Sequence, residues 1–173
     1  MLTVRKATIA DCELIHELAW KVFPETYKEI LSPEQMEYMM EWMYSVENLK
    51  KQMSEEGHVY LLGYYNEEVM GYVSVQPQGK SAYEGGQIDT FHLQKIYVLP
   101  DFQGLHCGSF LFREAIQYIK ELHPTPCLME LNVNRHNKAL HFYEHMGMRK
   151  LREGDFPIGN GYYMNDYIMG LEI

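Results

Sequence analysis

The chain has 173 residues, with 15 Lys and Arg against 24 Asp and Glu, a formal net charge of −9. Hydrophobic residues make up 46% of it and charged residues 23%, the balance of a folded chain rather than a disordered one. A chain of this length can bury roughly 70% of its surface, so a core needs no disulfide or structural metal, and the acidic balance argues against general binding to nucleic acid or an anionic membrane, which both need a basic face.

Leu2 to Lys6 is short and extended, and Thr8 or Asp11 then opens a helix carrying Leu14, Ile15, Leu18, Ala19 and Val22 at helical spacing. Pro24 is expected to end that helix or start a connection. Ser32-Pro33-Glu34 is a second helix start, with a capping serine, proline at the first helical position and an acid in the first turn. Met36, Met39, Met40 and Met43 follow as one helix face, which reads as core or as a pliable pocket wall, since methionine adapts its shape. From Val59 the period changes to two strands joined by Asn66-Glu67-Glu68. Gln76 to Gln87 carries Pro77, Gly79, Gly85 and Gly86 and is expected to be a loop. Its Gly79-Lys80-Ser81 is not a phosphate loop of the Walker type, because Ser74 stands where that pattern needs its first glycine. Ile88 to Leu99 reads as a long strand, Ser109 to Leu122 as a helix stopped by Pro124 and Pro126, and Leu128 to Val133 as a strand. Lys138 to His145 reads as a short helix closed by Gly147, and Tyr162 to Ile173 as one or two final strands. No linker or repeat interrupts this order, so the expectation is one mixed α/β domain over residues 1–173.

Cys12, Cys107 and Cys127 are an odd number without CxxC spacing, which argues against a disulfide framework or a four-cysteine zinc site and for a reducing compartment. The N-terminus lacks the apolar core of a signal peptide, and no run reaches the ~18 apolar residues of a membrane span. A cytoplasmic protein is expected.

The stretch from Ile96 to Ser109 is the most informative. A strand, a proline, a glycine-bearing loop and a helix follow one another, so backbone N–H groups and a positive helix end converge on a small volume suited to phosphate. That device needs no side-chain charge and can work in an acidic protein.

Here the sequence resembles the GCN5-related N-acetyltransferase (GNAT) superfamily. The acetyl-CoA loop of that family reads Gln/Arg-x-x-Gly-x-Gly/Ala, and Gln103, His106 and Gly108 stand in those places. Leu93-Gln-Lys-Ile-Tyr-Val98 before it resembles the family's fourth strand. Leu131 to Asn137 and then Ala139-Leu-His-Phe-Tyr143-Glu-His-Met-Gly147 resemble the fifth strand and the helix after it. Together these cover about residues 88–150, with Gly161 to Met169 as further support. The departures are His106 in place of a glycine that favours positive φ and Leu105 in place of the loop's usual basic residue.

The resemblance implies a mixed, splayed central sheet flanked by helices, with acetyl-CoA as cosubstrate and no metal. It implies direct attack of an amine on the thioester in a ternary complex. The implied coenzyme-binding residues are Ile96, Tyr97, Val98, Gln103, Gly104, Leu105, His106, Cys107, Gly108, Ser109, Asn132 and Asn137. The backbone of Ile96 to Val98 would supply oxyanion donors, and Tyr143 would return a proton to the leaving thiolate. Tyr143 also reads as a packing ring and Asn137 as a helix cap. The proton acceptor stays open between His92, Glu130 and a water relay, because Gln94 is neutral. Cys107 takes the place of a small apolar family residue, not of a nucleophile. His141-Phe-Tyr-Glu-His145 fits a zinc-protease pattern, but the same letters belong to the family's Phe-Tyr-Glu helix.

Glu25, Glu29, Glu34, Glu37 and Glu41 crowd the early helices. They read as a solvated face or as an acidic funnel for a cationic acceptor. Phe23 to Tyr27 and the C-terminal motif are similar to bacterial polyamine-type members, which implies a small cationic amine as acceptor. The alternative is a regulatory domain that binds acyl-CoA with little or no catalysis. The expected partners are a small-molecule amine, no nucleic acid and no membrane, with a homodimer permitted.

Overall fold

The computed structural model describes residues 1–173. Seven strands and five helices run in the order β1 (Leu2–Lys6), α1 (Cys12–Tyr27), α2 (Pro33–Tyr44), α3 (Val46–Ser54), β2 (Val59–Tyr65), β3 (Glu68–Tyr83), β4 (Gly86–Val98), α4 (Cys107–Leu122), β5 (Leu128–Asn134), α5 (Ala139–His145), β6 (Arg149–Gly159) and β7 (Tyr162–Glu172). No helix is long and apolar enough to cross a membrane. The strands form one sheet in the order β1-β2-β3-β4-β5-β7-β6. Every pairing is antiparallel except β4 with β5. The expected mixed, splayed sheet flanked by helices is therefore what the chain forms.

Two apolar cores cover the two faces. On one, Ile15, Leu18, Phe23, Met40, Tyr44 and Leu49 of α1 to α3 pack on Tyr60, Leu62 and Tyr72. On the other, Leu111, Phe112, Ala115 and Ile119 of α4 pack on Val73, Leu93, Met129 and Leu131. Met39 and Met40 of the predicted methionine stripe are buried, while Met36 and Met43 are half-buried.

Three expectations need correction. Pro24 does not end α1, which continues through it to Tyr27. The N–H that proline lacks would have bonded the carbonyl of Trp20, a residue 49% exposed, where water can replace it. Gln76 to Gln87 is not a loop but most of a hairpin, since β3 and β4 pair through to Tyr83 opposite Gly86. A register shift beside Pro77 absorbs the residue that cannot donate to the ladder. Glu84 and Gly85 make the turn with φ of 47° and 79°, the mirror-image geometry that suits twisted hairpins. Finally, α3 and β6 are additional elements. Ser45 caps α3 by accepting from Asn48 N at 3.1 Å, and β6 pairs along nearly the whole length of β7.

The feature that positions the site is a separation between neighbouring strands. β4 and β5 pair only from Thr90 to His92 against Leu128 to Glu130, and then diverge. A bulge lies just past that point: Lys95 opposes Ser74 and Leu93 opposes Val75, so Gln94 is the extra residue. A bulge bends and twists its strand, and here it turns the outer half of β4 away from β5.

Candidate active site

The gap between β4 and β5 opens as a cleft on each face of the sheet. The cleft on the α4 side has a volume of about 890 Å³. The cleft under α1, α2 and α3 has about 700 Å³. Tyr27, Gln94, Lys95, Tyr97 and Asn132 line both, so the two clefts meet at the bulge.

The α4 cleft is built chiefly from backbone. Leu99 N donates to Met70 O at 2.8 Å, which fixes the phase of the β3–β4 ladder. Alternation then turns the N–H groups of Ile96 and Val98 away from β3 and into the cleft. The Val98 carbonyl faces the same way, since Gln103 Nε2 donates to it at 3.3 Å. Further along, the N–H groups from Gly104 through Ser109 have no acceptor in the protein. The last of them belong to the first turn of α4, where an uncapped helix end carries partial positive charge. Gln103, Gly104, His106, Cys107, Gly108 and Ser109 line this cleft. Leu105 does not, and its side chain is 42% exposed. His106 sits in the left-handed region at φ 63°, where its family counterpart would be glycine. Its carbonyl accepts from Ser109 Oγ at 3.1 Å and from Phe110 N at 3.1 Å. The Cys107 thiol is buried and its pKa is pushed up by that burial, the reverse of what a nucleophile needs.

Across this cleft, Tyr143 projects from α5. Its ring is buried, but its hydroxyl makes no hydrogen bond within the protein and is not sealed off. Burial holds its pKa well above the ordinary tyrosine value, so the O–H stays protonated at neutral pH. Asn137 caps the start of α5 by accepting from Ala139 N at 2.9 Å, and its Nδ2 donates to Tyr27 Oη at 3.4 Å. Capping and lining the cleft thus coexist in one residue.

The other cleft has a polar floor. His92 lines it, and Glu130 stands behind His92 with 3.8 Å between Nδ1 and Oε1. Glu130 lines neither cleft. Burial pushes its pKa up, but His92 and Arg152 (3.6 Å away) outweigh this and bring it below the ordinary value. It is a buried carboxylate that lies between His92 and Arg152, behind the cleft wall. Asn132 donates to Asp166 at 3.2 Å, and burial raises the pKa of Asp166. The tip of the β6–β7 hairpin closes the far side, where Tyr38 Oη donates to Ile158 O at 2.7 Å.

Sequence reasoning did not anticipate Tyr27, Lys95 or Arg113. Tyr27 ends α1, and its hydroxyl lies 3.2 Å from that of Tyr97 at the junction of the clefts. Arg113, on the second turn of α4, gives the α4 cleft a cationic side chain where Leu105 gives none. Its signal was its spacing, one helical stretch beyond the loop. Glu25, Glu29, Glu34, Glu37 and Glu41 are all exposed, and none lines either cleft. His141 and Glu144 stand 4.0 Å apart on the exposed side of α5, and no group of three metal-ligating side chains converges anywhere in the chain.

Comparison with known proteins agrees with this geometry. The model of the acetyltransferase (GNAT) family matches residues 13–148, well over half of the chain. The uncharacterized N-acetyltransferase YjgM of Escherichia coli (strain K12) is 27% identical over 115 residues. That stretch is 66% of this chain and 64% of YjgM, just under two thirds of the relative's length. Among solved structures, the PaiA N-acetyltransferase of Thermoplasma acidophilum in complex with coenzyme A superposes with a TM-score of 0.75 at 22% identity, over 100% of this chain and 99% of that one. Arabidopsis thaliana NAA60 in complex with a bisubstrate analogue gives 0.72 at 17% identity, over 100% and 99%. At these identities the structural likeness is one of fold. The chain belongs to the acetyltransferase (GNAT) family.

Proposed function

We propose that this member of the GNAT family moves the acetyl group of acetyl-CoA onto a primary amine, in a ternary complex and without an acyl-enzyme. One observation carries the reading: two clefts from opposite faces meet at the bulge of β4, and one of them ends in a run of unpaired backbone N–H groups. In this reading residues 1–173 act as one catalytic domain, and its three free thiols fit a cytoplasmic setting. The coenzyme occupies the α4 cleft, an assignment supported by the coenzyme A held by the PaiA protein. Its pyrophosphate lies on the N–H groups of Gly104 to Ser109, with Arg113 nearby, and its pantetheine arm runs past Asn132 and Asn137.

The acceptor enters through the other cleft. An alkyl amine with pKa about 10.4 is protonated at pH 7, and freeing its lone pair costs about 4.6 kcal/mol. His92 takes that proton, and the Glu130 carboxylate 3.8 Å from its Nδ1 favours the charged ring that results. The neutral nitrogen attacks the thioester carbon, and the N–H groups of Ile96 and Val98 stabilise the oxyanion. The carbon–sulfur bond then breaks, Tyr143 gives its proton to the departing thiolate, the second proton of the now cationic nitrogen restores the tyrosine hydroxyl, and His92 releases the first proton to solvent. Gln94, the neutral bulge residue, bonds Gln76 Oε1 at 2.7 Å and has no part in this proton transfer.

The resemblance extends to a polyamine-like, cationic acceptor. Glu56 is the single carboxylate that the acceptor cleft offers such a molecule, so the reading adopted here stops at a primary amine. The test is thiol release from acetyl-CoA across a panel of amines, with thermal unfolding followed in parallel. Release with at least one amine, together with stabilisation by acetyl-CoA, supports the reading. Stabilisation without release from any amine would instead make the chain an acyl-CoA-binding regulatory domain. No stabilisation at saturating acetyl-CoA would remove both.

A further inference from the structure

The protein carries a net charge of −9, yet its acceptor cleft has the opposite balance. Lys51 and Lys95 line it against one carboxylate, Glu56, which is exposed at the mouth. Lys95 is the unusual member of this set. It is 7% exposed and no carboxylate lies within ion-pair distance of it, although Glu56 acts on it from farther away. Its Nζ donates to Tyr60 Oη, to Gln52 Oε1 at 3.1 Å and to Met43 O at 3.3 Å, all neutral acceptors. The ring of Tyr44 lies 4.3 Å away and that of Tyr60 5.1 Å away, partial compensation for a buried cation. An ammonium out of water without a counter-charge is costly. Burial accordingly pushes the Lys95 pKa down to about 7.

The third of these contacts is replaceable. The Met43 carbonyl is already satisfied by Gln52 Nε2 at 2.8 Å, a better bond than the one it accepts from Lys95. One N–H of Lys95 can therefore turn to a ligand without orphaning any protein group. Met43, Gln52 and Lys95 all line the acceptor cleft, and Lys95 also touches the coenzyme side, so a group held there lies close to the reacting nitrogen. Beside it, His58 lines the same cleft with a buried Nδ1 that has no partner. Burial, then Lys95 and His92, push its pKa down to about 4. Lys95 and His58 thus each offer the cleft a polar group that the protein bonds weakly or not at all.

We propose that the acceptor is a small amine that also carries an acidic group, as an amino acid does, and that this group docks on Lys95 and His58 at the floor of the cleft. The inference rests on the acetyl-transfer reading above and narrows its substrate. It differs from the polyamine expectation in the sign of the charge beside the amine. A hydrogen bond to a charged group in a buried site corresponds to about 10- to 100-fold in kcat/KM.

The experiment compares matched acceptors by thiol release from acetyl-CoA: amino acids against their amides, phosphoethanolamine against ethanolamine, and spermidine. The expected result is a preference of about 10- to 100-fold for amino acids over their amides, and a Lys95→Gln variant in which the acid-to-amide ratio falls towards one. A preference for phosphoethanolamine alone would keep the anion site and identify its ligand as a phosphate. Amides or spermidine turned over as well as amino acids would overturn the proposal and leave acetyl transfer standing. An acid-to-amide preference unchanged in Lys95→Gln would also overturn it. Release from no amine would remove acetyl transfer and this inference together. The wild-type ratio needs no variant, so it decides the matter even if Lys95→Gln fails to fold.

Discussion

The two clefts meet at one bulge but are built in opposite ways. The α4 cleft is built chiefly from backbone, the N–H groups of Ile96 and Val98 and the run from Gly104 to Ser109, with Asn132, Asn137, Arg113 and Tyr143 adding side chains. The acceptor cleft takes its polar groups from side chains on six elements, α1, α2, α3, β3, β4 and β5, and is closed by the β6–β7 hairpin. A backbone site tolerates almost any side chain that keeps the chain geometry. A side-chain site can be rewritten one residue at a time. In the proposed reading the first holds the cosubstrate and the second the acceptor.

The largest effect expected is at Tyr143, one of the few polar side chains in the cleft built chiefly from backbone. Tyr143→Phe should lower kcat by about 100-fold, the lower range for a lost general acid. The acetyl-CoA dissociation constant should change by less than about threefold, since the ring still packs. Equal losses in turnover and affinity, measured by steady-state kinetics and calorimetry, would make Tyr143 a packing residue and sharpen the comparison.

Lys95 tests the side-chain cleft through stability. Its folded pKa is about 7, against about 10.4 in the unfolded chain. Between those values the unfolded state binds the proton and the native state does not, so stability rises with pH there. Below pH 7 the full cost of the buried charge is present. Lys95→Met removes the titration, so the wild type should gain on the variant by about 2 kcal/mol between pH 7 and pH 9. Urea unfolding of both proteins at the two pH values measures it. Parallel behaviour would mean that Lys95 stays charged throughout and that the cleft floor is more polar than its contacts suggest.

Gly108 tests the backbone cleft. A Cβ there would meet Phe142 Cζ at 3.6 Å and Val98 Cγ2 at 3.9 Å, ordinary contacts, so the protein itself does not require glycine. Gly108→Ala should leave the melting temperature unchanged or slightly raised, since alanine is the better helix former. If coenzyme phosphate approaches the backbone at this point, the KM for acetyl-CoA rises about tenfold, or about 1.4 kcal/mol. An unchanged KM would move the point of close approach elsewhere in the loop.

The same contrast explains which parts of the molecule were legible in the sequence. Apart from Thr26, Tyr27 and Arg113, the α4 cleft comes from two contiguous stretches, about 93–109 and 131–146, and local order in the chain carries its geometry almost directly. The acceptor cleft joins Tyr27, Met43, Gln52 and Lys95 from four elements with His58 from the connection before β2, and nothing local marks them as neighbours. Lys95 reads as an ordinary strand lysine until Tyr60 and Gln52 are seen folded over it. The acidic run on α1 and α2 misled in the opposite direction, because composition gives charge but not facing. Pro77 and Gly79 suggested a loop where a register shift lets a strand continue, and Pro24 suggested an end where an exposed carbonyl needs no partner. β6 was missed although Asn160-Gly161, with φ of 54° and 77°, is a strong local hairpin signal. Gly154 and Pro157 broke the alternation that would have marked its first strand.

The smallest effect expected concerns His106, where the comparison is sharpest because a side chain occupies a backbone position. At φ 63° a non-glycine residue bears a cost of about 1 kcal/mol. His106→Gly removes that strain but gives the unfolded chain more freedom, an opposing term of similar size. The net change in stability should therefore be within about 0.5 kcal/mol, a shift of roughly 1 to 2 °C in Tm. If the loop binds coenzyme through backbone alone, acetyl-CoA affinity should stay the same or improve by a few-fold. A loss of about tenfold or more would show the imidazole bonding the phosphates directly, so that a side chain has taken over work that glycine leaves to the main chain. The loop would then hold phosphate through a side chain as well as through its main chain.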